Sequence, residues 1–318
     1  MAPEKRDPSK SNLSAVRENS VMVIGNFDGV HKGHRALLKA ARLISGDTEK
    51  PISVMTFEPH PAKFFNPDIK PFRLTPLDIK TRILDDLGVE YLMLSTFDEN
   101  LSEMTADVFM RKMLVNANPS HIVVGENFYF GKGKEGTAQM LQDHSDDLPF
   151  DVSVFESLSD DNNEVYSSTR IREYIQAGDI QKANNLLGWN WEIEGTIIEG
   201  DKRGRQLGFP TANMTLGEYI RPAFGVYAVR VAIDSDNVTP AKWYPAVANI
   251  GIRPMYPSNE PLVEAYIFDF SADLYGKEMR VQLVKHLRDE AKFDTEQELI
   301  KQIRQDCENA RSALEQTK

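Results

Sequence analysis

"VIGNFDGVHKGH", residues 23–34, sets a short apolar run against glycines, an aspartate and two histidines three residues apart. The apolar run reads as a strand ending at Gly25, NFDGVHKG as a turn, and the following residues as a helix beginning around Gly33 or His34. The first turn of a helix offers N–H groups without intrahelical partners and a partial positive charge, an environment that suits phosphate. Glycines let the backbone approach closely, and the imidazoles of His31 and His34 can donate to phosphate oxygens. A metal site, a general base and a phosphate cradle are all open at this point, as is a tight turn that merely carries two surface histidines. Zinc is disfavoured: the other histidines (His60, His121, His144, His286) form no paired motif, and Cys307 is the single cysteine.

Working outward, β-rich runs at 21–26, 52–57, 90–95, 121–125 and 151–155 alternate with helix-like stretches. In GHRALLKAARLI the apolar positions Leu37, Leu38, Ala41 and Ile44 share one face. Such alternation predicts a parallel sheet covered by helices on both sides, with ligands at the C-terminal strand ends. FEPHP (57–61) follows the second strand at that same end, and SSTRIREY (167–174) places hydroxyls with Arg170 and Arg172 at another helix start. Converging on one sheet edge, the three segments would form a polyphosphate pocket.

Beyond GWNWEIEGTIIEG (188–200) the pattern becomes strand-dominated, with runs at 225–233, 243–251, 262–270 and 278–284 and one closing helix-like segment, TEQELIKQIRQDCENARSALEQ. Strands with turn signals and no intervening helices predict an antiparallel barrel or sandwich. The expected domains are therefore 1–188 and 189–318, joined near Gly188. The length of 318 residues suits two cores, and 41% hydrophobic with 27% charged residues is ordinary globular composition. The net charge of −11 argues against a general nucleic-acid binder. No run approaches the roughly 20 apolar residues of a membrane span. The polar MAPEKRDPSKSN is not expected to be a secretory signal, and one cysteine cannot form an internal disulfide. A cytoplasmic protein handling small anionic ligands is the expectation, with no membrane partner and no indication of oligomeric state.

In the second half, GDKRGRQLGFPTAN (200–213) is a basic, glycine-rich loop without the G-x-x-x-x-G-K-[ST] order of a P-loop. A solvated surface loop would look the same. In FPTAN, Thr211 and Asn213 offer a hydroxyl and a carbonyl oxygen, hard ligands suitable for Mg²⁺. Alternation in LVEAYIFDF puts Glu264, Tyr266, Phe268 and Phe270 on one strand face, with the carboxylate either at an exposed strand end or held for use.

These motifs together carry a resemblance. GNFDGVHKGH resembles the G-x-F-D-x-x-H-x-G-H signature of nucleotidylyltransferases, and SSTRIR its S-S-T-x-x-R partner. With FEPHP, FRLTPLDIK (72–80) and VVGENFYFGKGKEGT (123–137), the first half is similar to the FAD synthetase module of prokaryotic bifunctional riboflavin kinase/FAD synthetases. PTAN, VANIGIRP (247–254), E-x-x-x-x-D-F, DLYGK (273–277) and RDEAKF (288–293) resemble the riboflavin kinase domain of the same family. The resemblance implies a Rossmann-like nucleotidylyltransferase domain followed by an antiparallel β-barrel with a terminal helix. It also implies two ATP-dependent reactions assisted by Mg²⁺: riboflavin to FMN in the second domain, FMN to FAD in the first.

Carried over residue by residue, it implies that His31 and His34 hold the ATP phosphates and that Arg172 stabilises the leaving pyrophosphate. Gly25, Asn26, Phe27, Asp28, Gly33, Ser168 and Thr169 would complete that nucleotide site. In the kinase, Glu264 would be the base, Thr211 and Asn213 the Mg²⁺–ATP ligands, and Gly200, Lys202, Gly204, Arg205 and Gly208 the phosphate cover. His60, Asn127, Phe128 and Arg253 would contact flavin. Two positions depart from the common pattern: Asn127 stands where many members carry aspartate, and Met255 where many carry threonine. An adenylyltransferase with one live site, and a flavin-sensing or storage protein on the same folds, are the competing readings. Both are disfavoured by the retained His31, His34, Arg172, Thr211, Asn213 and Glu264.

Overall fold

The computed structural model describes residues 19–160, 163–200, 203–234, 242–252 and 260–316. They form two compact units: one takes in the described residues up to Lys70 together with Thr75–Ser167, the other Pro71–Leu74 and Ser168 onward. Helices Ser168–Gln176 and Ile180–Leu187 thus belong to the second unit, and the joint read near Gly188 lies within it. Gly188 caps the second of these helices at φ 77°, left-handed backbone that glycine adopts without a Cβ clash.

In the first unit the strands are β1 (Val21–Ile24), β2 (Ile52–Glu58), β3 (Tyr91–Thr96) and β4 (His121–Gly125). A two-stranded ribbon of β5 (Tyr129–Phe130) and β6 (Gly136–Thr137) follows, and then β7 (Asp151–Phe155). The main sheet is parallel, in the order β3-β2-β1-β4-β7. No side chain of β1 is more than 2% exposed, because the central strand is covered on both faces. One face packs Met22, Ile24, Met55, Ile122 and Val124 against Phe109, Met110 and Leu114. Helix α1 (Lys32–Thr48) lies against β1 and β4 and buries Leu38 and Ala41. The order reverses between β1 and β4, so the crevice beyond their carboxyl ends is where an open parallel sheet accommodates ligand.

The second unit is a six-stranded antiparallel sheet of β8 (Glu192–Thr196), β9 (Ala212–Thr215), β10 (Gly225–Asp234), β11 (Tyr244–Ile252), β12 (Pro261–Ile267) and β13 (Glu278–Asp289). Its order is β8-β13-β10-β11-β12-β9. Just past β8, Ile198 N–H donates to Asn213 O (2.8 Å), drawing the two outer strands together and nearly closing a barrel. The terminal helix Glu296–Glu315 begins in a Thr295/Glu298 capping box and covers Val226, Ala228, Val247 and Val284 with Ala310, Ala313 and Leu314. Arg288 fastens it through a fork to Asp306, with bonds of 2.7–3.2 Å.

Two expectations need correction here. β12 ends at Ile267 and Asp269 turns at φ 54°, so of the common face expected of Glu264, Tyr266, Phe268 and Phe270 only Phe270 departs, lining a cleft beside Ala265 and Ile267. Phe268 enters the cluster under the terminal helix, and Tyr266 packs against that cluster. GDKRGRQLG is not wholly loop, since Arg203–Gln206 forms one helical turn.

Candidate active sites

The segment after β1 is held by its own side chains. Phe27 and Val30 are both 0% exposed and both have positive φ (51° and 39°). A β-branched residue rarely adopts such a backbone, and it persists only where the surroundings over-determine it. The anchoring is visible. Asp28 Oδ1 accepts from Thr75 N–H (2.9 Å) and from the Thr75 hydroxyl (3.3 Å), while Gly29 N–H donates to Thr75 Oγ1 (2.8 Å). Gly25 N–H donates to Met55 O, and the Thr56 hydroxyl donates to Asn26 O (3.1 Å). Asp28 therefore fastens the loop.

His31 is the residue before α1, and its carbonyl already accepts from Arg35 N–H, so the helix starts at Lys32 rather than at Gly33 or His34. The His31 and His34 rings stack at 3.8 Å, with Phe27 beside His34 at 4.8 Å. A Cβ on Gly33 would stand 3.1 Å from the His31 ring, so glycine leaves room for the stack. Burial first, then the His31 and Lys80 charges, hold His34 well below the usual histidine pKa. Its Nδ1 is shut away from solvent without a hydrogen-bond partner among the described residues. The pair is thus a preformed donor set at a helix N-terminus, with His34 held neutral.

Beside it, at the same end of the sheet, β2 leads to His60 and β4 to Asn127 and Phe128. His60 Nδ1 accepts from Ala62 N–H (3.1 Å), capping the short helix α2 (Pro61–Phe65). Asn127 Nδ2 donates to Ser157 Oγ (2.7 Å), and Phe128 stacks on Phe130 at 5.5 Å. Ser168 and Thr169 open a helix of the second unit. On that helix Arg172 donates through Nε to Phe72 O (2.8 Å) and lies over the Phe72 ring. The convergence of SSTRIR with the histidine loop stays a sequence expectation.

In the second unit, register brings Asn213 and Asn249 alongside Glu264 from either side on three adjacent strands. Cross-strand partners share a face. Glu264 is 8% and Asn213 6% exposed. The Thr211 hydroxyl donates to Asn213 Oδ1 (3.4 Å). Thr211 also lines a cleft of about 310 Å³ with Ala212, Ala265, Ile267, Phe270 and Asp273. Ala265 faces the cleft, so Glu264, one residue away on the strand, faces the other side. Thr211 and Asn213 thus join the two faces. Gly200 packs against Asn213, and a Cβ on Gly204 would run into the Phe209 carbonyl oxygen. Gly208 has φ 87°. Lys202 and Arg253, like Met255, lie outside the described residues, and for Arg205 only the backbone is described.

Comparison with known proteins agrees with this two-site layout. Residues 13–170 match the FAD synthetase family model and residues 187–314 the riboflavin kinase model. The chain is 38% identical over 309 residues to the bifunctional riboflavin kinase/FMN adenylyltransferase of Escherichia coli (strain K12), covering 96% of this chain and 97% of that one. The chain belongs to the bifunctional riboflavin kinase/FMN adenylyltransferase family. The Bacillus subtilis (strain 168) member is 36% identical over 296 residues, covering 92% of this chain and 91% of its own. A solved structure from Streptococcus pneumoniae, described as a macrolide-efflux protein, superposes with a TM-score of 0.83 at 33% identity, covering 95% and 97% of the two chains. Among the described residues no helix is long and apolar enough to cross a membrane.

Two further residues lie beside these groups without a motif role of their own. Asn249 lies in VANIG but becomes a neighbour of Glu264 only through sheet register. Lys80 closes FRLTPLDIK, and its signal was a lysine on an otherwise apolar helical stripe, Ile79, Ile83 and Leu84 being its buried companions on helix α3 (Leu77–Asp86).

Proposed function

We propose that this chain makes FMN and then FAD: the second unit phosphorylates riboflavin with ATP, and the first transfers AMP from ATP to FMN. The reading is carried by the presence, in one chain matched along nearly its whole length to bifunctional relatives, of a histidine loop at a sheet switch point and a Thr211–Asn213–Glu264 group beside a cleft.

In the kinase reaction the ribityl 5′-hydroxyl attacks the γ-phosphorus of ATP, and the bond to the β-phosphate oxygen breaks, leaving ADP. Glu264 takes the hydroxyl proton. Thr211 and Asn213 hold the nucleotide phosphates. A hydroxyl and a carboxamide oxygen 3.4 Å apart are hard ligands of the kind that would hold Mg²⁺. Bound there, the ion would neutralise phosphate charge.

In the adenylyl transfer an FMN phosphate oxygen attacks the α-phosphorus of ATP, and pyrophosphate leaves. No protein nucleophile is needed, so the protein contributes positioning and charge stabilisation. The α1 N-terminus and the stacked His31 and His34 receive the phosphates, His60, Asn127 and Phe128 bound the flavin, and Arg172 has the role implied by resemblance. Incubation with riboflavin and Mg–ATP, resolving FMN, FAD, ADP and pyrophosphate, tests this directly. ADP should appear with FMN, and pyrophosphate with FAD. Flavin bound but unchanged would favour a storage protein.

A further inference from the structure

Lys80 has no place in the chemistry above, yet its side chain is completely buried and its ammonium is satisfied in a specific way. Nζ donates to Glu58 Oε1 (3.2 Å) and to Thr56 Oγ1 (3.4 Å), both near the C-terminal end of β2. An ammonium can only donate, so Thr56 must accept with its oxygen and turn its own O–H elsewhere. That proton goes to the Asn26 carbonyl, in the histidine loop. We propose that Lys80 is a positioning residue for adenylyl transfer: it orients the Thr56 hydroxyl onto Asn26 O and so sets the backbone that carries His31 and His34. The same ammonium is one of the charges that keep His34 neutral.

A buried cation is expensive, and in a purely structural position an apolar residue of equal volume would serve as well or better. Helix α3 already buries Ile79, Ile83 and Leu84. The lysine is therefore explained by what it donates to, not by packing.

This inference rests on the adenylyl-transfer reading, and its test keeps the two apart. The variants are Lys80→Met, Thr56→Val, Thr56→Ser, the pair Thr56→Val/Lys80→Met and, as a control, His34→Ala, all in the full chain. Riboflavin phosphorylation serves as an internal check on folding. Misplacement by about 1 Å costs up to ~10²-fold in rate, so Lys80→Met should lower kcat for FAD formation on that order while phosphorylation persists. Thr56→Val should share the loss and Thr56→Ser should be spared. The paired variant should be no worse than Lys80→Met, as expected for residues in one chain of hydrogen bonds. If Lys80→Met cannot fold because Glu58 is left without its cation, Glu58→Gln/Lys80→Met removes both charges; if neither folds, Thr56→Val and Thr56→Ser decide. Wild-type kcat in the folded variants, additive losses, or equal loss of both activities overturns the inference. Wild-type FAD formation in His34→Ala would instead overturn the site reading itself.

Discussion

Gly200→Ala isolates the kinase site with a single methyl group. A Cβ on Gly200 would stand 3.1 Å from Asn213 Cγ and well inside contact distance of Nδ2. Ordinary separation is about 3.5–4.0 Å, so the carboxamide must move by roughly 1 Å. The obstacle is the end of a side chain rather than backbone, so relief is inexpensive: overpacking of this kind costs about 1–3 kcal/mol, and here the lower end is expected. What moves, however, is the group that accepts from Thr211 and pairs in register with Glu264. A 1 Å error at a phosphate-positioning group costs on the order of 10²-fold. The variant should melt close to wild type, convert FMN to FAD normally, and phosphorylate riboflavin about 10²-fold more slowly, measured as FMN formed under saturating Mg–ATP. Wild-type kcat in a correctly folded Gly200→Ala would refute the placement of Asn213 at the phosphates.

Glu264→Gln keeps shape and hydrogen bonding but removes the base, so riboflavin should still bind while its phosphorylation falls ~10²–10⁴-fold; an unchanged rate with chemistry limiting would exclude Glu264 as base. His34→Ala should lower FAD formation ~10²–10³-fold and leave FMN formation intact. Because the folded pKa of His34 lies below the ordinary 6.5, the unfolded chain takes up a proton first as pH falls, and stability should decline below about pH 6.5 until the folded pKa is passed. Urea midpoints for His34→Asn should show a shallower decline over that range, and an identical slope would contradict the burial of that ring. Finally, Asn184 accepts from Trp191 N–H and donates to Leu283 O, so fragment 168–318 should be more stable than 189–318 by about 1–3 kcal/mol per buried group left unsatisfied. Equal denaturation midpoints would remove helix Ile180–Leu187 from the folding unit.

Much of this was legible without coordinates because it depends on local order. Alternation of apolar runs with a period of two or 3.6 residues marks strands and helices, and glycines beside histidines mark a turn into a helix. The β1 loop, the five parallel strands and the closing helix follow from such short-range patterns. The departures have a common cause. β8 and β9 are short and partly polar, and EIEGT and ANMT gain their strand character from the pairing partners β13 and β12. Phe270 leaves the face of Glu264 and Tyr266 because Asp269 turns, which alternation could not register. Asn249 reaches Glu264, and Lys80 reaches Thr56, across 15 and 24 residues, through sheet register and helix packing. Sequence alone determined which chemistry the chain carries, since motifs are read along the backbone. Tertiary structure decided which side chains support it, because burial, donor orientation and the identity of cross-strand neighbours exist only once distant segments are packed together.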